Sequence, residues 1–174
     1  MSLTENQKQP NHAERCRTLA ACARSGTLST IARDPVGFPY GSLVSVATDD
    51  KGRPLLLLSR LAEHTKNLEA CEDASVLLTE SLGAHAEPLA LGRVTLLGPC
   101  RKIVEAEMAD VRDAFLALHP EASHYVDFAD FHFFRLEPIA LRYVGGFGRM
   151  SFVNVAEYFT AEPGSDGSKG SNMP

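Results

Sequence analysis

The sixteen residues LLLLSRLAEHTKNLEA, Leu55 to Ala70, constrain this chain more than any other segment. Four consecutive leucines, preceded by Pro54 and followed by Ser59, give a strand no polar side to turn to water. Such a run fits a strand covered on both faces. From about Leu61 the pattern becomes helical, so the strand delivers the chain straight into a helix. Backbone N–H groups at a helix start are unpaired, and the helix dipole attracts anions there. Ser59 supplies a hydroxyl at the strand end, and Arg60, His64, Thr65, Lys66 and Asn67 stand within the first two turns. Clustered donors and cations at that point suit a phosphate. The alternative is an ordinary strand-to-helix turn with a solvated basic face.

The remaining pattern is mostly strand. Asn11 to Arg24 carries apolar residues at helical spacing and predicts a first helix, stopped by Ser25-Gly26. Strands are predicted over Thr27–Ala32, Tyr40–Thr48, Pro54–Leu58, Ala74–Glu80, Leu89–Gly98, Phe131–Leu136 and Ile139–Val144, with turns at Arg33–Gly37 and Asp49–Gly52. Pro99 to Arg101 leads into a helix with the stripe Val104, Met108, Val111, Phe115 and Leu118, ended by His119-Pro120. Helical turns are expected near Glu121–Val126 and Val155–Phe159. A parallel sheet needs a helix between most strands, and this chain lacks them. The expectation is a mainly β (α+β) fold: a six-stranded antiparallel barrel with flanking helices, in one domain over 11–161. Residues 1–10 and the Gly/Ser/Pro-rich 162–174 read as disordered.

With 174 residues, 44% of them hydrophobic, the chain can bury a real core. A net charge of −5 argues against general nucleic-acid binding. No window reaches the ~18 apolar residues of a membrane span, and the N-terminal residues lack a secretory h-region. A cytoplasmic location is the expectation. Cys16, Cys22, Cys71 and Cys100 form no C-x-x-C pair, so they read as reduced thiols rather than zinc ligands. His12, His85, His119 and His124 read as surface residues, and no Ser/His/Asp grouping assigns a catalytic residue. Gly145-Gly146-Phe147-Gly148 opens no helix and reads as a bend in a barrel wall rather than a dinucleotide site.

Three stretches carry a family resemblance. The segment from Ser59, with H-T-K-N-L-E followed by A-S-V-L-L, resembles the flavin-binding region of the split-barrel family that includes pyridoxamine 5′-phosphate oxidase. It is most similar to the HugZ/HutZ-type haem-utilisation branch. PYGSLVSVATDDKGRPLLLL, Pro39 to Leu58, resembles the opening hairpin of that branch, and FFRLEPIALRYVGGFGRM, Phe133 to Met150, its closing one. The resemblance spans residues 13–160. It implies a split β-barrel homodimer with flavin mononucleotide (FMN) held between subunits. In the oxidase, the hydroxyl at Ser59 and two basic residues at His64 and Thr65 hold the phosphate; Lys66, one place on, is a substitute cation. Arg93 stands where the oxidase has a glutamine near the flavin ring, and Arg149 where it has a substrate-clamping arginine, without the R-L-H motif around it. Asp130 takes the place of an acidic residue of the haem branch. His132 is a candidate iron ligand, or else a packed core histidine. No histidine follows it, although the haem branch tends to carry its iron-ligating histidine in a C-terminal tail or added domain.

These readings imply an FMN-binding oxidoreductase with a small-molecule substrate. The alternatives are a protein that binds or degrades haem, and a non-catalytic binding module. His64 and Thr65 in place of Arg and Lys favour the alternatives; Ser59, Lys66 and Arg93 favour FMN.

Overall fold

A computed structural model describes residues 9–81, 87–146 and 149–164. Helix α1 (His12–Cys22) starts on Asn11, whose side chain accepts from the Glu14 N–H while Glu14 accepts from the Asn11 N–H, a reciprocal cap. Then come β1 (Ser25–Arg33), β2 (Val36–Ser45), β3 (Ala47–Thr48), β4 (Pro54–Ser59), α2 (Glu63–Ala70), β5 (Asp73–Thr79) and β6 (Gly92–Lys102). The chain continues with α3 (Met108–Leu118), β7 (Phe131–Leu136), β8 (Ala140–Gly145), β9 (Met150–Val153) and α4 (Val155–Thr160).

The strands form one antiparallel sheet in the order β2-β1-β5-β6-β7-β4-β3. Only Val46 separates β2 from β3, so both ends of that order belong to one stretch of chain and the sheet curls back on itself. Counted this way the barrel has six staves. The β8–β9 hairpin is an addition, docked on the first half of β6 through pairs such as Val94↔Tyr143. The fold is therefore the expected α+β split barrel with flanking helices.

The leucine run explains itself in this arrangement. Pro54 to Leu58 are all buried. Leu56 and Leu58 enter the barrel core with Leu28, Val76, Val94, Leu96 and Phe134, under α1 and α4. Leu55 and Leu57 enter a second core with Phe115 and Phe133, under α3. Burying each leucine stabilises the fold by roughly 1.5–3 kcal/mol. A polar residue at any of the four would face one core or the other.

Several expectations are corrected. Strand β2 starts at Val36 rather than Tyr40, because the turn needs only Asp34-Pro35. Strand β6 continues through Pro99 to Lys102 rather than ending at Gly98. It leaves β5 there and pairs with β7 through Cys100↔Leu136, and the Glu137 N–H donates to the Pro99 carbonyl. Pro88–Ala90 form a 3-10 turn ahead of it. Helix α2 starts at Glu63, leaving Leu61 exposed, and Val104 is exposed rather than part of the α3 stripe. Strand β9 has no counterpart among the expected strands. His119 is buried, not on the surface: it stacks on Phe115, and its Nε2 lies 2.9 Å from the Val46 carbonyl. His85, Phe147 and Gly148 lie outside the described residues, as do 1–8 and 165–174 of the two terminal segments; Gly164, inside the second, donates its N–H to Thr18 Oγ1 at 2.7 Å. No described helix is long and apolar enough to cross a membrane.

Candidate functional site

Strands β4 and β7 run side by side with the register Ser59↔Phe131, Leu58↔His132 and Leu57↔Phe133. Successive residues of a strand point to opposite faces, so Phe131 and His132 line different clefts.

The first cleft, about 350 Å3, lies between β2, β4 and the start of α2. Its walls are Leu43, Val44, Leu57, Leu58, Ala62, Tyr125 and Phe131, and its polar members are Ser45, Ser59 and His64. Tyr125 and Phe131 pack with ring centroids 5.1 Å apart, and Phe128, 57% exposed, extends the aromatic group. His64 is half-buried here, and burial pushes its imidazole below the ordinary value, which keeps it neutral at pH 7.

The second cleft, about 340 Å3, holds Arg60, Lys102 and His132 over Leu68, Cys100 and Phe134. Arg101, also at its edge, forks onto Glu72. Burial lowers the His132 pKa, and the nearby charges of Lys102 and Arg60 lower it further, against a partial opposing pull from Asp130 and Glu69. Cys100 is a neutral thiol, its pKa pushed up to about 12 by burial.

The ten residues singled out in the sequence thus do not form one cluster. Ser59 and His64 share the first cleft, and Arg60 and His132 the second. Ser59 Oγ donates to Asp130 Oδ2 at 2.6 Å and accepts from the Leu61 N–H at 3.2 Å. Thr65 is fully buried, and its hydroxyl donates to the Ser59 carbonyl at 2.7 Å. Asn67 is fully buried too; it donates to Thr30 Oγ1 and accepts from the Arg33 N–H, each at 3.1 Å. Lys66 pairs with Glu63 at 3.2 Å, and the Lys66 hydrogen bond holds the Glu63 carboxyl below the usual range. Arg93 donates to the carbonyls of Leu89 and Leu91 at the mouth of β6. Arg149 lies in a separate cleft with His12, Arg15 and Tyr143, beside the start of α1.

Sequence reasoning missed the apolar side of the first cleft. Leu43 is 81% exposed. Alternation along β2 places it on the face opposite Val44 and Val46, and that was the available signal. Tyr125 and Phe128 sit in an irregular stretch that periodicity cannot orient.

A sequence profile described as "CREG, beta-barrel" matches residues 7–160. The noncanonical heme oxygenase HOZ, chloroplastic, of Arabidopsis thaliana is 41% identical over 133 residues, which is 76% of this chain and 40% of HOZ. A heme binding protein from Mycobacterium smegmatis superposes with a TM-score of 0.82 at 36% identity, covering 90% of this chain and 63% of that one. HutZ, the heme storage protein from Vibrio cholerae, superposes at 0.56 with 18% identity over 73% of this chain and 90% of its own, a likeness of fold. The chain therefore spans less than two thirds of the length of the plant and mycobacterial relatives.

Proposed function

Because this chain belongs to the CREG β-barrel family, a split-barrel fold, we propose that it is a haem-binding protein whose ligand rests in the cleft between β2, β4 and α2. The observation that carries the reading is His64, a neutral imidazole half-buried among Leu43, Leu57, Tyr125 and Phe131. Neutral imidazole is a common axial ligand of haem iron, and apolar and aromatic walls suit a porphyrin face. The names of the plant and mycobacterial relatives support the same ligand. The iron of bound haem would supply oxygen chemistry; haem breakdown, named for the plant relative, is the extension of this proposal.

One cleft of about 350 Å3 is at the small end for an organic ligand. A second copy completes it in this proposal. Val36, Phe38, Tyr40 and Leu43 on β2, with Ile31 on β1, are all exposed apolar residues on one ribbon beside the cleft. A homodimer would bury them.

The second reading is an FMN-binding oxidoreductase. It is favoured by Ser59 and His64 sharing one cleft at the start of α2. It is weakened because Ser59, Thr65, Lys66 and Asn67 already have partners within the fold.

The test is parallel titration of the purified protein with hemin and with FMN. Saturable haem binding with the spectrum of a ligated iron, altered in His64→Ala, is expected. Tight FMN binding with no haem spectrum would overturn the proposal in favour of the second reading. A haem spectrum that is unchanged in His64→Ala and lost in His132→Ala would move the site to the second cleft.

A further inference from the structure

The start of α2 has the parts of a general anion site: free N–H groups, a strand-end hydroxyl and nearby cations. The hydroxyl and one of the cations are already committed within the fold. The Ser59 hydroxyl spends its only proton on Asp130 Oδ2 at 2.6 Å. The Arg60 N–H donates to the Asp130 carbonyl at 2.7 Å, so the carboxylate is held in place from its own backbone. The neighbouring pair Ser59↔Phe131 fixes the same geometry from the sheet. At the first turn of the helix Glu63 takes up Lys66 and Arg33. An incoming phosphate would have to break the Ser59–Asp130 hydrogen bond and then sit beside a carboxylate.

We propose that Asp130 is a specificity-determining residue of the first cleft: its carboxylate claims the Ser59 hydroxyl and turns away flat ligands that enter phosphate first. The cleft is left to a ligand that presents an apolar face. This rests on the reading of the cleft as the ligand site, and it concerns which ligands are refused rather than how haem is held. A purely structural role for Asp130, capping the entry to β7, predicts a loss of stability on substitution and no gain of any ligand.

Asp130→Ala removes both the charge and the acceptor that holds the Ser59 hydroxyl. Asp130→Ser also frees the hydroxyl and serves if the first variant fails to fold. Affinity for FMN should rise about ten- to a hundredfold, the equivalent of one additional charge-assisted hydrogen bond. Riboflavin, which lacks the phosphate, should bind each variant as it binds the native protein. Adding Ser59→Ala should abolish the gain. No change in FMN affinity, an equal rise for riboflavin, or a gain that survives Ser59→Ala would each overturn the proposal. Hemin is titrated alongside. Failure of the native protein to bind hemin sinks the haem reading alone, because the FMN–riboflavin contrast does not depend on it.

Discussion

Replacing Asn67 by leucine separates a scaffold residue from a ligand-binding one. Asn67 lies on α2 but bonds away from the cleft, to β1: its Nδ2 donates to Thr30 Oγ1 and its Oδ1 accepts from the Arg33 N–H. Both Asn67 and Thr30 are buried, at 0% and 1% exposure. Leucine has a similar volume and removes both bonds. An orphaned backbone N–H costs about 1–3 kcal/mol, and the hydroxyl's lost donor about 0.5–1.5 kcal/mol. Thr30 keeps its own donation to the Tyr40 carbonyl, so its loss falls at the low end. Extra apolar burial offsets part of the sum and leaves a net destabilisation of about 2 kcal/mol. In a domain of this size that lowers Tm by about 4–8 °C. Thermal melts followed by circular dichroism give the shift, and hemin titration well below Tm gives the affinity. The expected result is a lower Tm with native haem affinity. An unchanged Tm with lost affinity would refute the assignment and make Asn67 part of the ligand site.

Other predictions concern the cleft, the dimer and the C-terminal helix. Haem affinity should stay level as pH falls to about 6.5 and drop only further down, because burial holds His64 below that ordinary value; a drop beginning above it would mean the ligand is another group. The same shift affects stability. The unfolded chain binds protons at about 6.5 and folded His64 only at lower pH, so stability should decline as pH falls from 6.5 toward the folded value. His132 adds a decline of the same sign, and melts of the His64→Gln, His132→Gln double variant should show it reduced. Phe38→Asp should yield monomers by sedimentation, since Phe38 is 62% exposed in a single copy; a native protein that is itself monomeric at micromolar concentration would remove the dimer. Tyr158→Phe should cost about 1–3 kcal/mol, seen as a lower Tm, by stripping the buried Gly52 carbonyl of the hydroxyl that donates to it at 2.5 Å.

The parts of the fold legible in the sequence are those where burial and chain period agree. The leucine run implies a strand buried on both faces, and β7 spans Phe131–Leu136 as its pattern predicts. The places that mislead are those where tertiary context overrides local chemistry. Pro99 resembles a strand stop, yet it sits where β6 changes partners from β5 to β7. His119 follows a helix and precedes a proline, which describes a surface turn, but the Phe115 ring and the Val46 carbonyl bring it inside. The candidate site shows the same division. The strand-to-helix junction itself is readable from Leu55 to Ala70. The direction of its hydrogen bonds is not, because Asp130, Thr30 and Arg33 come from distant points in the chain.

That direction bears on which ligand the proposed cleft would favour. In sequence, Ser59, Thr65 and Asn67 are neutral donors equally fit for a phosphate or for the fold. In the folded chain the Thr65 hydroxyl reaches back to the Ser59 carbonyl and ties the first turn of α2 to the end of β4. Asn67 ties the next turn to β1. The helix is thereby anchored on both sides without any ligand, and its start is held beside β2. Lys66 and Glu63 satisfy each other, so the side chain of α2 left in the cleft without a described partner is His64. A phosphate would find the side-chain donors Ser59, Thr65 and Lys66 already engaged, whereas a porphyrin needs an apolar face and one nitrogen. In the haem proposal, the residues that made the segment look like a phosphate site serve instead to anchor α2, the helix that carries His64.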